Sequence, residues 1–125
     1  MEIPKIFDSE YRLACIVWDR EPVTTRELVK LCAEKLEWKR TTTYTVLKRL
    51  CDRGIFQVEN SVVTSRIPKE EIQRQESEQF VKRTFGGSLP LFLAAFLKDR
   101  PLSEEEVREI RKLIEDKNGG RADET

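Results

Sequence analysis

Residues 38–54 read WKRTTTYTVLKRLCDRG: three consecutive threonines and a tyrosine lie between two basic pairs, and a glycine closes the run. Thr43, Val46, Leu47 and Leu50 recur at steps of three and four, the spacing of one helix face. Thr41, Thr42, Tyr44, Thr45, Lys48 and Arg49 fall around the other side. The pattern predicts a helix over 40–53 that packs through aliphatics and presents hydroxyls and cations outward. Gly54 stands where a left-handed helix terminus favours glycine.

A helix enters the DNA major groove when its exposed face is narrow and offers hydrogen-bonding groups to base edges and phosphates. Thr41, Thr42 and Thr45 meet that demand, each with a hydroxyl and a methyl that can touch a thymine methyl. Lys48, Arg49 and Arg53 can reach phosphates, and Arg40 a phosphate or a guanine edge. Lys39 and Arg40 occupy the place of a capping Ser or Asp and oppose the positive helix N-terminus, a local rule broken as at functional surfaces. The plainer alternatives are a solvated helix face with a frayed first turn.

The flanking sequence supplies the fold. Asp8 and Ser9 offer a cap for a helix through Asp19, whose apolar run ends at Trp18. Thr24 and Glu27 form a capping-box pattern ahead of Leu28, Val29, Leu31, Cys32 and Leu36 at helical spacing. After Gly54, IFQV and VVTSRI flank Glu59, Asn60 and Ser61, which predicts a β-hairpin. Three helices followed by a hairpin make a winged helix-turn-helix, so the expected fold is mainly α with a small β-hairpin.

Past Pro68 the pattern is helical. An arm carries Ile72, Phe80, Val81 and Phe85, GGS interrupts it, and LPLFLAAFL follows without a polar side chain. A second capping box, Ser103 with Glu106, opens a helix striped by Val107, Ile110, Leu113 and Ile114. About 50 residues in three helices bury too little surface to stand alone. A second copy of the chain is therefore the expected partner, with Phe80, Phe85, Leu91, Phe92, Phe96, Leu97, Val107, Ile110, Leu113 and Ile114 at the dimer interface. The resulting division is a DNA-binding domain over 1–67, a helical dimerisation domain over 68–118 and a disordered tail over 119–125.

Composition limits the chemistry. The 125 residues carry 23 basic and 23 acidic side chains and no histidine. Histidine-based nucleophile systems and histidine-containing zinc sites are closed, and no glycine-rich phosphate loop is present. A non-enzymatic protein without cofactor or metal is expected. The basic footprint is local: residues 38–54 hold five cations against Asp52 alone. Cys15, Cys32 and Cys51 are odd in number and flanked by aliphatics, which reads as core packing, with a redox role the alternative. No apolar run approaches the ~20 residues of a membrane span, nor is there a signal pattern, so a cytoplasmic location without membrane insertion is expected.

In addition, EYRLACIVWD, TTRELVKLCAEKLEWKRTTTYTVLKRLCDRG, RIPKEE, QESEQFVKRTFGGSLPLFLAAFL and LSEEEVREIRKLIED occur in that order. From about Phe7 to about Lys117 the chain resembles the penicillinase repressor family, small winged-helix repressors of β-lactamase and methicillin-resistance operons. The resemblance implies a homodimer that blocks transcription at a palindromic operator in double-stranded DNA. It gives Thr41, Thr42, Tyr44, Thr45 and Lys48 a base-side role, and sets Arg40, Arg49 and the wing around Asn60 and Ser61 near the backbone. In antibiotic-responsive members a membrane sensor protease triggers cleavage in the helix matching LFLAAFL, here between Ala95 and Phe96. Those members commonly present Asn where this chain has Ala95. A copper-responsive branch ends in Cys-x-Cys pairs, which NGGRADET lacks, and the wing QVENSVVTS is short and poor in cations. The competing reading from another class is a winged-helix module that docks a protein and shows no sequence-specific DNA binding.

Overall fold

The computed structural model describes residues 3–122. The element order is α1 (Asp8–Arg20), β1 (Val23–Thr24), α2 (Thr25–Leu36), α3 (Arg40–Asp52), β2 (Phe56–Glu59), β3 (Val62–Ser65), α4 (Lys69–Phe85), α5 (Leu89–Leu97) and α6 (Glu104–Ala122). The expected mainly helical winged helix-turn-helix is present. Its hairpin belongs to a three-stranded antiparallel sheet of order β1-β3-β2.

The first helix enters differently from the sequence reading. Asp8 and Ser9 lie inside α1, and Phe7 is the N-cap. Phe7 has no side-chain oxygen to offer, so Glu10 serves the terminus instead, its Oε1 accepting from the Phe7 N–H at 3.0 Å. The Thr24 cap is formed as expected, with Thr24 Oγ1 accepting from the Glu27 N–H at 3.0 Å. Thr24 also belongs to β1, where Val23 and Thr24 pair with Val63 and Val62.

The end of α3 follows from Gly54. Its φ of 78° lets the chain turn back. The Gly54 N–H donates to Cys51 O at 2.9 Å and the Ile55 N–H to Leu50 O at 3.0 Å, the paired bonds of a Schellman motif. Leu50 and Ile55 are both fully buried, the apolar contact that accompanies such a terminus.

Leu13, Val17, Leu28, Cys32, Val46, Leu47, Leu50, Ile55, Phe56 and Val63 form the core. Tyr11, Trp18 and Phe56 add two edge-on ring contacts at 5.9 and 5.8 Å. The Trp18 Nε1–H donates to Ile67 O at 3.1 Å, and Glu21 accepts from the Ser65 N–H at 2.8 Å, closing the sheet onto α1.

All three cysteines are free. Burial raises the Cys32 thiol above its ordinary value of 9.0, partly offset by a bond to Thr43. Burial also raises Cys51, aided by the Asp52 charge. Burial in the fold thus favours their neutral form, and the associated stability is complete below the ordinary thiol pKa. Because the unfolded thiols ionise first, that contribution is lost as pH climbs from about 9 through the raised folded values. Urea midpoints measured between pH 8 and 10.5 are expected to fall, with a smaller fall in Cys32→Ala compared with its own value at pH 8.

The chain divides into two compact units, Met1–Gly87 and Ser88–Thr125. The first therefore runs past the boundary expected at Pro68. Ile72 explains this: it is 1% exposed in the core of the first unit, and Gln73 Nε2 donates to Tyr11 Oη at 3.1 Å. Phe80 and Phe85 lie on the same helix, their rings edge-on at 6.0 Å.

In the second unit Ser88 caps α5 by accepting from the Leu91 N–H at 3.2 Å, and Ser103 caps α6 by accepting from the Glu106 N–H at 3.0 Å. Among the described residues α5 and α6 bury no side chain. The segment expected as a tail from residue 119 is helical to Ala122, and residues 123–125 lie outside the described residues. Once a helix is nucleated each further residue adds a bond, which carries α6 through its poor helix formers. No single helix among the described residues is long and apolar enough to cross a membrane.

Candidate nucleic-acid interface

The fold sorts α3 cleanly. Thr43, Val46, Leu47 and Leu50 are buried, while Arg40, Thr41, Thr42, Tyr44, Thr45, Lys48 and Arg49 are exposed. The seven α3 residues expected to meet DNA therefore share one solvent face. Lys39 is the N-cap and makes no side-chain capping bond, as the sequence indicated.

Individual groups differ in what they have to offer. Thr43 Oγ1 donates to Lys39 O at 3.2 Å and Thr45 Oγ1 donates to Thr41 O at 2.9 Å. The Thr45 hydroxyl proton is therefore committed to the backbone, leaving an acceptor and an outward methyl. Among the described residues the hydroxyls of Thr41 and Thr42 have no protein partner. A Thr45→Val protein is accordingly expected to keep operator affinity within about threefold, whereas Thr42→Val loses a hydrogen bond worth roughly 0.5–1.5 kcal/mol. Fluorescence anisotropy with labelled duplex measures both.

Lys48 Nζ pairs with Asp52 Oδ2 at 3.0 Å, both side chains more than 60% exposed. Exposed pairs at this spacing contribute only about 0.3–0.5 kcal/mol. Lys48 can therefore exchange Asp52 for a phosphate at little cost. Arg53 is different. Its Nη1 donates to Glu10 Oε1 and to Lys5 O, the latter at 3.1 Å, and its guanidinium lies 4.9 Å from the Phe7 ring centroid. Glu10 is 1% exposed, so Arg53 is the counter-ion of a buried carboxylate. The sequence reading that offered Arg53 to phosphates is corrected.

Asn60 and Ser61 form the hairpin tip. Glu59 pairs with Val62, so the loop is two residues long and not three, and φ is 51° at Asn60 and 62° at Ser61. Positive φ at both central positions is the type I′ turn that matches strand twist. The Thr25 N–H donates to Ser61 O at 2.9 Å, which holds the tip against the start of α2. Sequence reasoning missed Arg26, one residue further on. With Val29, Arg40 and Tyr44 it lines a cleft of about 380 Å³. The Arg40 guanidinium carbon sits 5.5 Å from the Tyr44 ring centroid.

A buried-aliphatic, exposed-hydroxyl third helix in a three-helix unit closed by a small antiparallel sheet defines the winged helix-turn-helix DNA-binding class. The family model for the penicillinase repressor matches residues 6–116. The chain therefore belongs to the penicillinase repressor family and is a DNA-binding repressor, not an enzyme. It is 27% identical over 119 residues to the penicillinase repressor of Bacillus licheniformis, covering 92% of this chain and 93% of that protein. It is 20% identical over 117 residues to the methicillin resistance regulatory protein MecI of Staphylococcus aureus strain N315, covering 90% and 95%. Among solved structures, the monomeric form of B. licheniformis BlaI in complex with the blaP half-operator matches 56% of this chain and 90% of that chain at 27% identity, with a TM-score of 0.49.

Proposed function

We propose that this repressor acts as a cytoplasmic homodimer that blocks transcription at a palindromic operator. In this reading α3 lies in the major groove: Thr41, Thr42, Tyr44, Thr45 and Lys48 face bases, while Arg49, Asn60 and Ser61 approach the backbone. The carrying observation is the division of α3, which spends its aliphatics on the core and leaves its hydroxyls and cations to solvent. With 23 basic and 23 acidic side chains, bulk attraction to random DNA is weak, so affinity rests on these contacts.

Dimerisation is supported by the second unit. Phe92, Leu93, Phe96, Leu97, Val107, Ile110 and Ile114 line an open apolar groove of about 560 Å³ between α5 and α6. Leu91 and Leu113 add further exposed apolar surface at 60% and 71% exposure. A patch of this kind calls for a cover, and a second copy presents the same surface in return. Phe80 and Phe85 on α4 extend the same role.

The operon belongs to the β-lactam-resistance type, and repression ends when a sensor protease cuts α5 between Ala95 and Phe96. Both residues are exposed, and the helix ends at Leu97, the second residue beyond the bond. Cleavage would separate residues 89–95 from α6, removing Phe92 and Leu93 from the groove. A chromosomal reporter fused to the cognate promoter tests this: β-lactam exposure is expected to yield fragments ending at Ala95 together with derepression. Derepression with the repressor intact by mass spectrometry would overturn the proteolytic route while leaving the repressor reading in place.

A further inference from the structure

The Arg26–Arg40–Tyr44 cleft carries a more specific assignment than the backbone role that the family resemblance implies for Arg40. Arg40 is the first residue of α3 and Tyr44 lies one turn later, the spacing at which helical side chains meet. The guanidinium carbon at 5.5 Å from the ring centroid is within range of a cation–π contact. Tyr44 is 38% exposed and Arg40 is exposed too, so ring and guanidinium are both open to solvent. Arg26 and Val29 bring the start of α2 to the same cleft.

We propose that Arg40, held by Tyr44, reads one guanine per half-site through the major-groove O6 and N7 atoms, while Arg26 grips a flanking phosphate. The N-terminal residues of a recognition helix are those that meet base edges. A guanidinium offers two parallel N–H donors matched to guanine, and guanine presents only acceptors to them. Stacking fixes the plane of the fork before DNA arrives, which lowers the ordering cost of a bidentate contact. Tyr44 then positions Arg40 in addition to its own place on the base-facing side. Arg26 lies in the first turn of α2 beside this cleft, and its guanidinium can pair with a phosphate.

This assignment rests on the operator-binding reading, and one experiment separates the two. Duplexes are selected from a random pool with the full chain and with its R40M, Y44F, Y44L and R26A variants. The wild-type protein is expected to enrich a palindrome with a fixed guanine in each half. R40M removes every donor from that side chain, and is expected to lose that guanine alone, with roughly 5- to 100-fold less discrimination at that position. Y44L is expected to weaken the same preference and Y44F to retain it. R26A is expected to keep the whole sequence preference, bind all duplexes more weakly and lower the salt slope by about one. If R40M enriches the same sequence as wild type, Arg40 contacts the backbone and the assignment fails. If the wild-type chain enriches nothing, the operator reading itself fails.

Discussion

Ile114→Asp is expected to convert the repressor from dimer to monomer and to weaken its hold on the full operator by roughly 10²–10⁴-fold, with half-site affinity unchanged. Ile114 lines the α5–α6 groove and is 53% exposed in the single chain. An aspartate there is already solvated in the monomer, so it leaves that chain foldable. In a dimer that covers the groove, the same carboxylate is stripped of water without a cation, a cost of several kcal/mol. Two half-site contacts made by one dimer raise the effective concentration of the second, and this gain vanishes when the chains separate. Sedimentation equilibrium reads the dimer, and titrations of full and half operators read the coupling. An Ile114→Asp protein that remains dimeric would show that the groove is not the interface.

Arg53→Met is expected to lower the unfolding free energy by about 3–5 kcal/mol, because it leaves Glu10 buried without its cation. At 1% exposure, Glu10 keeps the Phe7 N–H as a donor once the guanidinium is gone, but no cation. The Lys5 carbonyl and the Phe7 ring lose their contacts as well. Replacing both partners removes the penalty, so the Glu10→Leu/Arg53→Met double variant is expected to recover most of the loss. Urea denaturation of the two single variants and the double variant measures the coupling directly. A loss in the double variant equal to the sum of the two single losses would show that the pair is not coupled. Arg53→Met is further expected to leave the salt slope of DNA binding unchanged, because Arg53 is committed to Glu10.

The parts of this fold readable in the sequence are those written locally. Thr24 with Glu27, Ser103 with Glu106 and Gly54 each state a helix end within a few residues, and all three are realised. The solvent face of α3 was equally legible, because helical periodicity places Thr43, Val46, Leu47 and Leu50 together. What escaped depends on distant partners. Val23 and Thr24 become β1 only because Val63 and Val62 lie beside them, and two residues carry no strand pattern of their own. Arg53 meets Glu10 across 43 residues, so its spacing beside Lys48 and Arg49 suggested a phosphate ligand. Arg26 reaches the Arg40–Tyr44 cleft only through the packing of α2 on α3. The Thr45 hydroxyl bond to Thr41 is local, yet threonine at such positions also points outward, and composition does not choose between them.

The central claim is that a dimer reads sequence through the threonine face of α3, and a titration tests it most directly. The full chain is mixed with the duplex enriched from a random pool and with a scrambled duplex of the same composition, each at two salt concentrations. Tight binding of a palindrome, at least 10³-fold above scrambled DNA and falling steeply with salt, is the expected result. Equal, weak binding to both duplexes by a folded, dimeric protein would contradict the claim and turn the exposed face of α3 towards a protein partner.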